Sequence, residues 1–244
     1  FDDPRVRKAF SLAIDRTYIV NQVTQSGQVE AGGFVPSGVY DADGADGDDF
    51  RTVGGDYYKP TDADYEANCD EARQLLADAG YPNGEGFPVV EYLYNTSDAH
   101  KAVAEALQFM WEEELGVKVT LNNQEWAAFL QTRKDGDYSI ARNGWIADYN
   151  DPISFLDMWM TGGGNNDAQY ANDDYDALIK QAKTTTDNAE RMDLLHQAED
   201  KLIGEDNVLA PLYFYTQKYM LADGIEGMYY CPLGYFFFGY THQA

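Results

Sequence analysis

The chain has 244 residues, enough for one large domain or two small ones, and 44% of them are hydrophobic, which excludes a disordered chain. Its 42 acidic and 17 basic residues give a formal net charge of −25, which disfavours nucleic acid and anionic lipid as partners. No apolar run reaches the roughly 18 residues that a transmembrane helix needs, so no transmembrane segment is expected in this chain.

The first predicted helix begins at Asp3 as its cap, with Pro4 as its first helical residue. A second helical segment is expected from Thr17. Residues 27–60 are rich in Gly and Asp and show little periodicity, which predicts a segment that wraps the surface or borders a site. Within them, residues 41–49 fail the spacing of an EF-hand calcium loop and are predicted to form a solvated acidic loop.

Strands then alternate with helices through most of the chain. Helices are predicted over residues 61–79 or 62–79, 98–115, 124–133, 153–160, 173–183 and 187–203, and strands over 88–94, 117–121, 138–143, 208–215 and 218–221. This alternation predicts an α/β domain with a mixed sheet flanked by helices. The tail over residues 225–240 is aromatic and short of helix signals.

Residues 142–152 are predicted to be the end of a strand that runs into a loop dense in aromatic and acidic side chains. Trp145, Asp148 and Tyr149 lie close together there, and an acid surrounded by aromatics suits a small cation such as an amino group. The alternative is a plain strand-to-helix turn, with Asp151 as the helix cap and Trp145 in the core.

Cys69 and Cys231 are the two cysteines, and neither belongs to a CxxC or Cys/His spacing, so no zinc site or other metal site is predicted. Whether they pair in an oxidising compartment is left open by the sequence. The chain begins at Phe1 without an initiating methionine or signal peptide, which leads us to expect a piece of a larger protein.

Several short motifs carry a family resemblance when they are taken in order. They are the segments YNTSD (94–98) with His100 and Lys101, NQEW (123–126), Thr132 with Arg133, and RNGWIADYN (142–150). Together they resemble the C-terminal half of extracellular solute-binding proteins of the peptide/nickel family, the receptors of ABC importers, and specifically the oligopeptide-binding branch. The resemblance implies a periplasmic-binding-protein-like lobe of type II, the peptide-binding class. Residues 1–218 would form the C-terminal ligand-binding lobe, and 219–244 a tail that crosses back to a missing N-terminal lobe.

The same resemblance implies a role for individual residues. Asp148 would pair with the α-ammonium group of a peptide, and Arg142 and His100 would meet its C-terminal carboxylate. The backbone of residues 143–147 would pair with the extended peptide as an added strand, which recognises any sequence. The remaining predicted ligand-binding residues are polar groups or aromatic walls of the same cleft or belong to that backbone run: Arg133, Asn95, Trp126, Trp145, Tyr215, Asn143, Gly144 and Ile146.

Each of these roles has a plainer alternative. Arg142 is otherwise a surface strand residue paired with an acid, His100 a residue near a helix start, and Trp126 a core residue. One departure from the family concerns Thr24, which stands where some oligopeptide receptors have a lysine. The preferred peptide length therefore stays open, and the side-chain preference depends on the missing lobe.

The resemblance implies a non-catalytic, cofactor-free component of an ABC importer that binds short peptides between two lobes. Its partners would be the membrane permease subunits, and it would lie on the extracellular face of the membrane or in the periplasm, lipid-anchored through the missing N-terminus. One alternative is a receptor of the same fold for a nickel chelate or an oligosaccharide. A second is a hydrolase that uses two of the carboxylates of Asp148, Asp151 and Asp157, although His196, predicted on a helix exterior, and His242 have no evident partners.

Overall fold

A computed structural model describes residues 1–58, 62–231 and 234–244, without the side chains of residues 62 and 63. The helix start proposed at residue 61 lies outside the described residues. The helices are α1 (Pro4–Leu12), α2 (Arg16–Tyr18), α3 (Phe50–Gly54), α4 (Asp62–Asp78), α5 (Asp98–Leu115), α6 (Trp126–Asp135), α7 (Ile153–Leu156), α8 (Asp173–Ala182) and α9 (Asn188–Glu199). The strands are β1 (Val29–Glu30), β2 (Val90–Asn95), β3 (Val119–Gln124), β4 (Ile140–Ala141), β5 (Tyr213–Phe214), β6 (Ile225–Glu226), β7 (Tyr229–Cys231), β8 (Tyr235–Phe237) and β9 (His242–Gln243). π-helical turns at Ile19–Thr24 and Asp200–Glu205 extend α2 and α9.

The helix ends follow from local sequence. The Asp3 carboxylate accepts a hydrogen bond from the Arg5 amide at 2.9 Å, and Pro4 occupies the first helical position of α1, as predicted. Helix α5 begins after Ser97 and ends at Gly116, whose φ of 68° lies in the left-handed region that glycine adopts without strain. These boundaries could be predicted because each depends on only a few neighbouring residues.

The principal sheet has the order β3-β2-β4, and all of its strands run parallel. Tyr92 at the centre pairs with Leu121 on one side and Ile140 on the other. The predicted α/β lobe with flanking helices is confirmed. The antiparallel strands, however, form separate two-stranded ladders, β1 with β5, β6 with β9 and β7 with β8, instead of joining one mixed sheet.

One hydrophobic core joins the sheet to the helices around it. Trp111 on α5 is buried and donates its indole N–H to the Phe10 carbonyl at 2.8 Å, which ties α5 to α1. Tyr175 on α8 is also buried and donates its hydroxyl to the Leu156 carbonyl at 2.5 Å. Because β2 and β4 are parallel, their carboxyl ends emerge at the same edge of the sheet, above this core.

Three predicted strands are shorter than expected or missing. The strand predicted over residues 138–143 is limited to Ile140–Ala141, and the strand predicted over residues 208–215 is limited to Tyr213–Phe214. Residues 218–221 lie outside any strand. Among the described residues, strand β4 is an edge strand that pairs with β2 alone, and the last ladder contact is the hydrogen bond from the Arg142 amide to the Leu93 carbonyl at 2.8 Å. The Met220 side chain is 98% exposed and Tyr219 and Leu221 are about half exposed, so the apolar residues that predicted the last strand are only partly buried.

The prediction that residues 41–49 form a solvated acidic loop is wrong for Asp41, which is buried. Its carboxylate lies 2.7 Å from Nε2 of His196, and the His196 ring stacks on Phe50 with a centroid distance of 3.9 Å. His196 therefore does not lie on a helix exterior, and it has a partner. The segment from Ala31 to Tyr58 contributes several buried apolar side chains to the core, so it does not simply wrap the surface. Its residues Phe34, Gly38 and Tyr40 line a large groove, so the alternative prediction that the segment borders a site is confirmed.

Both cysteines are free thiols, so the pairing that the sequence left open does not occur here. Burial raises the pKa of the Cys69 thiol to about 11. Among the described residues, no helix combines the length and apolar character needed to cross a membrane.

Candidate functional site

A groove of about 1940 Å³ lies along the edge where β2 and β4 end. It runs beside α6 and the segment that follows β4, and it continues to residues after β5. Its walls include most of the predicted ligand-binding residues: His100, Trp126, Arg133, Arg142, Asn143, Gly144, Trp145, Ile146 and Tyr215. These side chains, which lie between positions 100 and 215 of the chain, are thus brought to one surface.

A basic corner forms at the end of the groove where β2 stops. Arg142 donates from Nη1 to the Asn95 side-chain oxygen at 3.4 Å and from Nη2 to the Tyr215 hydroxyl at 3.3 Å. His100, in the first turn of α5, lies with Nδ1 3.4 Å from the Asn95 carbonyl oxygen. Asn95 thus orients both basic side chains, and their contacts with neutral acceptors leave the positive charge of Arg142 uncompensated by an acid. Among the described residues, no carboxylate forms an ion pair with either of them.

The environment of His100 keeps its imidazole neutral at pH 7. Burial lowers the pKa of His100 below its usual 6.5, the positive charge of Arg142 lowers it further, and the contact with the Asn95 carbonyl partly opposes both effects. A carboxylate bound in this corner would raise the pKa of His100, because an anion beside the imidazole favours its protonated form.

Arg133 lines the groove, but its charge is already engaged. Its Nε donates to Asp167 at 2.7 Å and its Nη1 donates to the Asn143 side-chain oxygen at 2.9 Å and to the Arg142 carbonyl at 3.3 Å. The guanidinium also lies over the Phe129 ring, 5.1 Å from its centroid. These contacts hold the first residues after β4 in place, which gives Arg133 a positioning role beside the predicted ligand contact.

Aromatic side chains form the remaining walls. Trp126 is 52% exposed and stacks on Phe129 at a centroid distance of 5.7 Å, so the alternative that placed it in the core is wrong. Tyr215 is also more than half exposed and packs edge-on against Tyr213. Trp145 is partly buried and donates its indole N–H to the Ser154 carbonyl at 2.6 Å. Exposed aromatic faces beside charged groups suit a ligand with both apolar and polar parts.

Hydrogen bonds at the far end fix the loop that follows β4. The Asp148 amide donates to the Ser154 hydroxyl at 2.9 Å, and Asp151 forms an ion pair with Arg191 at 2.8 Å. Asp151 also accepts from the Ile153 amide at 2.9 Å, although the N-cap of α7 is Pro152 and not Asp151, so the helix-cap alternative is wrong by one residue. Asn150 bridges to the 31–58 segment, since it donates to the Gly38 carbonyl and accepts from the Tyr40 amide.

Between these two fixed ends, the backbone of residues 145–147 lies outside any helix, strand or turn and is unpaired among the described residues. No hydrogen bond between described residues engages the backbone amides of Trp145, Ile146 and Ala147, or their carbonyl oxygens. The Ile146 side chain is 70% exposed, so this stretch faces the groove and solvent. Unpaired backbone next to an edge strand is a template for pairing with another extended chain.

Asp148 does not line the groove itself. It lines a neighbouring recess of about 260 Å³, and Trp145 forms a wall shared by the two cavities. The Asp148 side chain is exposed, and its carboxylate has no hydrogen-bond or ion-pair partner within the described part of the chain. The structure thus places Arg142 with His100 at one end of the unpaired backbone and Asp148 at the other.

Several positioning residues could not be found from the sequence. Asn150 forms hydrogen bonds with Gly38 and Tyr40, which precede it by 110 or more positions. They belong to a segment without periodicity, so no local sequence signal indicated the contact. Asp167 and Ser154 were likewise missed, because their partners are brought together only by the fold. Residues 24–28 contain no basic side chain, but Lys218 lies against them. A Cβ built on Gly27 would be 3.0 Å from the Lys218 Nζ atom, so the ammonium group of Lys218 brings a positive charge to this segment.

The family profile described as bacterial extracellular solute-binding proteins, family 5 Middle, matches residues 1–167. The chain belongs to this family. The dipeptide-binding protein DppE of Bacillus subtilis is 38% identical over 236 residues, which cover 96% of this chain and 41% of that protein. The periplasmic oligopeptide-binding protein OppA of Salmonella typhimurium is 37% identical over 93% of this chain and 39% of its own length. A probable deoxycholate-binding periplasmic protein of Escherichia coli is 33% identical over 93% of the chain.

Solved structures of the family agree with the fold. The OppA of Haemophilus influenzae, in complex with the peptide RPPGFSPFR, superposes with a TM-score of 0.78 at 30% identity and covers 93% of this chain and 42% of its own. A peptide-binding protein of a peptide ABC transporter gives a TM-score of 0.76 at 28% identity and is matched over 90% of its length. This family 5 chain therefore spans about two fifths of the length of most of these relatives.

Proposed function

We propose that this chain is the ligand-binding lobe of the substrate-binding component of an ABC importer, and that short peptides lie along residues 143–147. The observation that carries the proposal is the backbone of residues 145–147, unpaired among the described residues, between a basic corner and an unpaired carboxylate. Relatives whose names specify dipeptide or oligopeptide binding support it.

The chemistry of the two ends fits a free peptide. A peptide adds to the backbone of Trp145–Ala147 through N–H and C=O groups that every sequence presents, so main-chain pairing gives affinity without sequence preference. The C-terminal carboxylate meets the guanidinium of Arg142 and the imidazole of His100, and the α-ammonium group meets Asp148. Opposite charges at the two ends fix the direction of the bound chain.

The wider role follows from the family and is part of the same proposal. The protein hands its peptide to the membrane permease subunits of the importer, on the extracellular face of the membrane or in the periplasm, and a lipid anchor precedes this lobe. Residues 219–244 cross to a second lobe that closes the groove. The exposed aromatic side chains of that tail support the crossing, because apolar surface of this kind favours burial against another surface.

A non-peptide solute is the second candidate, because one relative is named as a probable deoxycholate-binding protein. An amphipathic anion would use the basic corner and the aromatic walls but would leave Asp148 without a partner. The hydrolase alternative is weakened by Asp151, whose carboxylate is already occupied by Arg191 and the Ile153 amide.

Hydrogen–deuterium exchange followed by NMR tests the proposal on the 244-residue chain with millimolar trialanine. When the peptide is added, those amides of Trp145–Ala147 that face it should exchange more slowly and shift. The alternate amide should change less, because successive N–H groups of a strand point to opposite sides. The amides of β3, at the opposite edge of the same sheet, are the matched control and should not change. Equal protection of both edges, or protection of neither, would refute peptide addition at this segment.

A further inference from the structure

The recess beside Asp148 is a cavity with its own composition. Trp145, Tyr149 and Met158 contribute apolar groups to a lining that is otherwise mostly polar, and residues 163–165 of the glycine loop line one side. Its volume of about 260 Å³ corresponds to roughly nine water molecules at about 30 Å³ each, which is room for a long side chain.

Two carboxylates face this recess. Asp148 is unpaired within the described residues, while Asp157 meets Lys183 through Oδ2 at 3.2 Å. The ring of Tyr149 lies in their field: burial raises the pKa of Tyr149, and the negative charges of Asp157, Asp151 and Asp148 raise it further, against the opposing effect of Arg191. The recess therefore combines a few apolar and aromatic groups with two carboxylates and, among the residues that the structure describes, no basic lining residue.

We propose that this recess is a specificity pocket for the first side chain of the peptide, and that it selects lysine or arginine. The inference rests on the proposed function, which places the α-ammonium group on Asp148. Because the ammonium group and the first side chain share one Cα, the cavity next to Asp148 receives that side chain. The apolar stem packs on Trp145 and Tyr149, and the cationic head lies near Asp157.

Lys183 supplies an internal comparison. Its side chain is 44% exposed, and its ammonium group already lies against Asp157, which shows that this carboxylate accepts an ammonium. A pair this exposed contributes little to stability, so a ligand cation can join or replace it. Removal of Lys183 should therefore increase the preference for a peptide that begins with lysine, and removal of Asp157 should decrease it.

The test is an NMR titration of the 244-residue chain with Lys-Ala-Ala, its neutral analogue norleucine-Ala-Ala, and trialanine, followed at the Trp145 indole N–H. Lys-Ala-Ala should bind about fivefold tighter than the norleucine peptide, in the range of a partly exposed ion pair. Asp157→Asn should bring that ratio close to one, and Lys183→Met should increase it. Glu113→Gln, an equal charge change on the exposed surface of α5, should leave the ratio unchanged.

A steric variant tests the pocket without a charge change. A Cβ on Gly164 would meet nothing within 4 Å, and its φ lies outside the left-handed region, so Gly164→Leu should fit the backbone and fill the recess. Gly164→Leu should lower the affinity for Lys-Ala-Ala several-fold more than the affinity for Gly-Ala-Ala. Gly239→Leu, at another glycine with open space for a Cβ, should change neither affinity.

The outcomes separate this inference from the proposed function. If trialanine binds but Lys-Ala-Ala and norleucine-Ala-Ala have equal affinities, the specificity pocket is refuted and the proposed function stands. A lysine preference that survives both Asp157→Asn and Gly164→Leu also refutes the pocket. If none of the peptides binds at millimolar concentration, the proposed function fails, and this inference fails with it.

Discussion

At the scale of single residues, the groove is organised by Asn95. Its carbonyl and side-chain oxygens lie at the last position of β2 and contact His100 and Arg142, so the end of one strand orients both basic groups. Neither group has an acidic partner among the described residues, although the chain carries 42 acids. We interpret this corner as a site prepared for an anion that the ligand brings.

The lowered pKa of His100 predicts a pH dependence of binding. His100 is neutral in the free protein at pH 7, and a bound carboxylate favours its charged form, so binding takes up a proton and strengthens as pH falls. Between about pH 7 and about pH 5.5 the termini of a peptide keep their charges, since their pKa values lie near roughly 7.7–8.0 and 3.3–3.7. Trialanine should therefore bind several-fold tighter at the lower pH.

His100→Gln and a C-amidated peptide are the matched controls for this titration. Each removes one member of the pair, so the pH dependence should disappear in both. A pH profile that persists in His100→Gln would assign the proton uptake to another group.

At the scale of elements, a buried ion pair joins α3 and α9. The Glu199 side chain is fully buried and accepts from Arg51 at 2.9 Å and from the amides of Phe34 and Val35 at 2.9 and 2.8 Å. This carboxylate holds the 31–58 segment against α9, and the same segment supports the site loop through Asn150. The segment is thus part of the scaffold of the groove.

Removal of one partner of this pair should be strongly destabilising. Arg51→Met leaves the Glu199 charge buried without its cation, and the free energy of unfolding measured in urea should fall by roughly 3–5 kcal/mol. The double variant Arg51→Met with Glu199→Gln should lose less than the sum of the single losses, since the two side chains share one interaction. Lys8→Met, which removes an exposed pair with Glu71, should change little. Additive losses at Arg51 and Glu199 would contradict the coupling.

How far the sequence predicts these elements depends on the range of the contacts. The ends of α1 and α5 could be predicted, because Asp3, Pro4, Ser97 and Gly116 act on their own turns. The burial of the 31–58 segment and the Asp41–His196 pair could not, because both depend on contacts across about 150 positions. The site residues were identified through a family resemblance, and composition alone would have left Trp126 in the core.

At the scale of the whole molecule, the groove is open and the chain spans about two fifths of its relatives' length. Under the proposed function a second lobe forms the other wall, and the tail from residue 219 contributes to that closure. With one wall, a peptide buries little surface and still loses its translational and rotational freedom.

The 244-residue chain alone should therefore bind peptides weakly. Calorimetric titration with tripeptides should give a Kd weaker than about 100 μM. The same measurement on a longer protein that includes a second lobe should give affinity at least about tenfold tighter. Low-micromolar binding by this chain alone would contradict the two-lobe account.

The central claim is that Asp148 binds the α-ammonium group of a peptide that lies along residues 143–147. The measurement that tests it most directly compares trialanine with N-acetyl-trialanine, on the unsubstituted chain and on Asp148→Asn, by NMR titration. Asp148→Asn should weaken the binding of trialanine about tenfold, in the range of one hydrogen-bonded charge pair. It should hardly change the binding of N-acetyl-trialanine, which has no α-ammonium group. Equal losses for the two peptides would contradict the account.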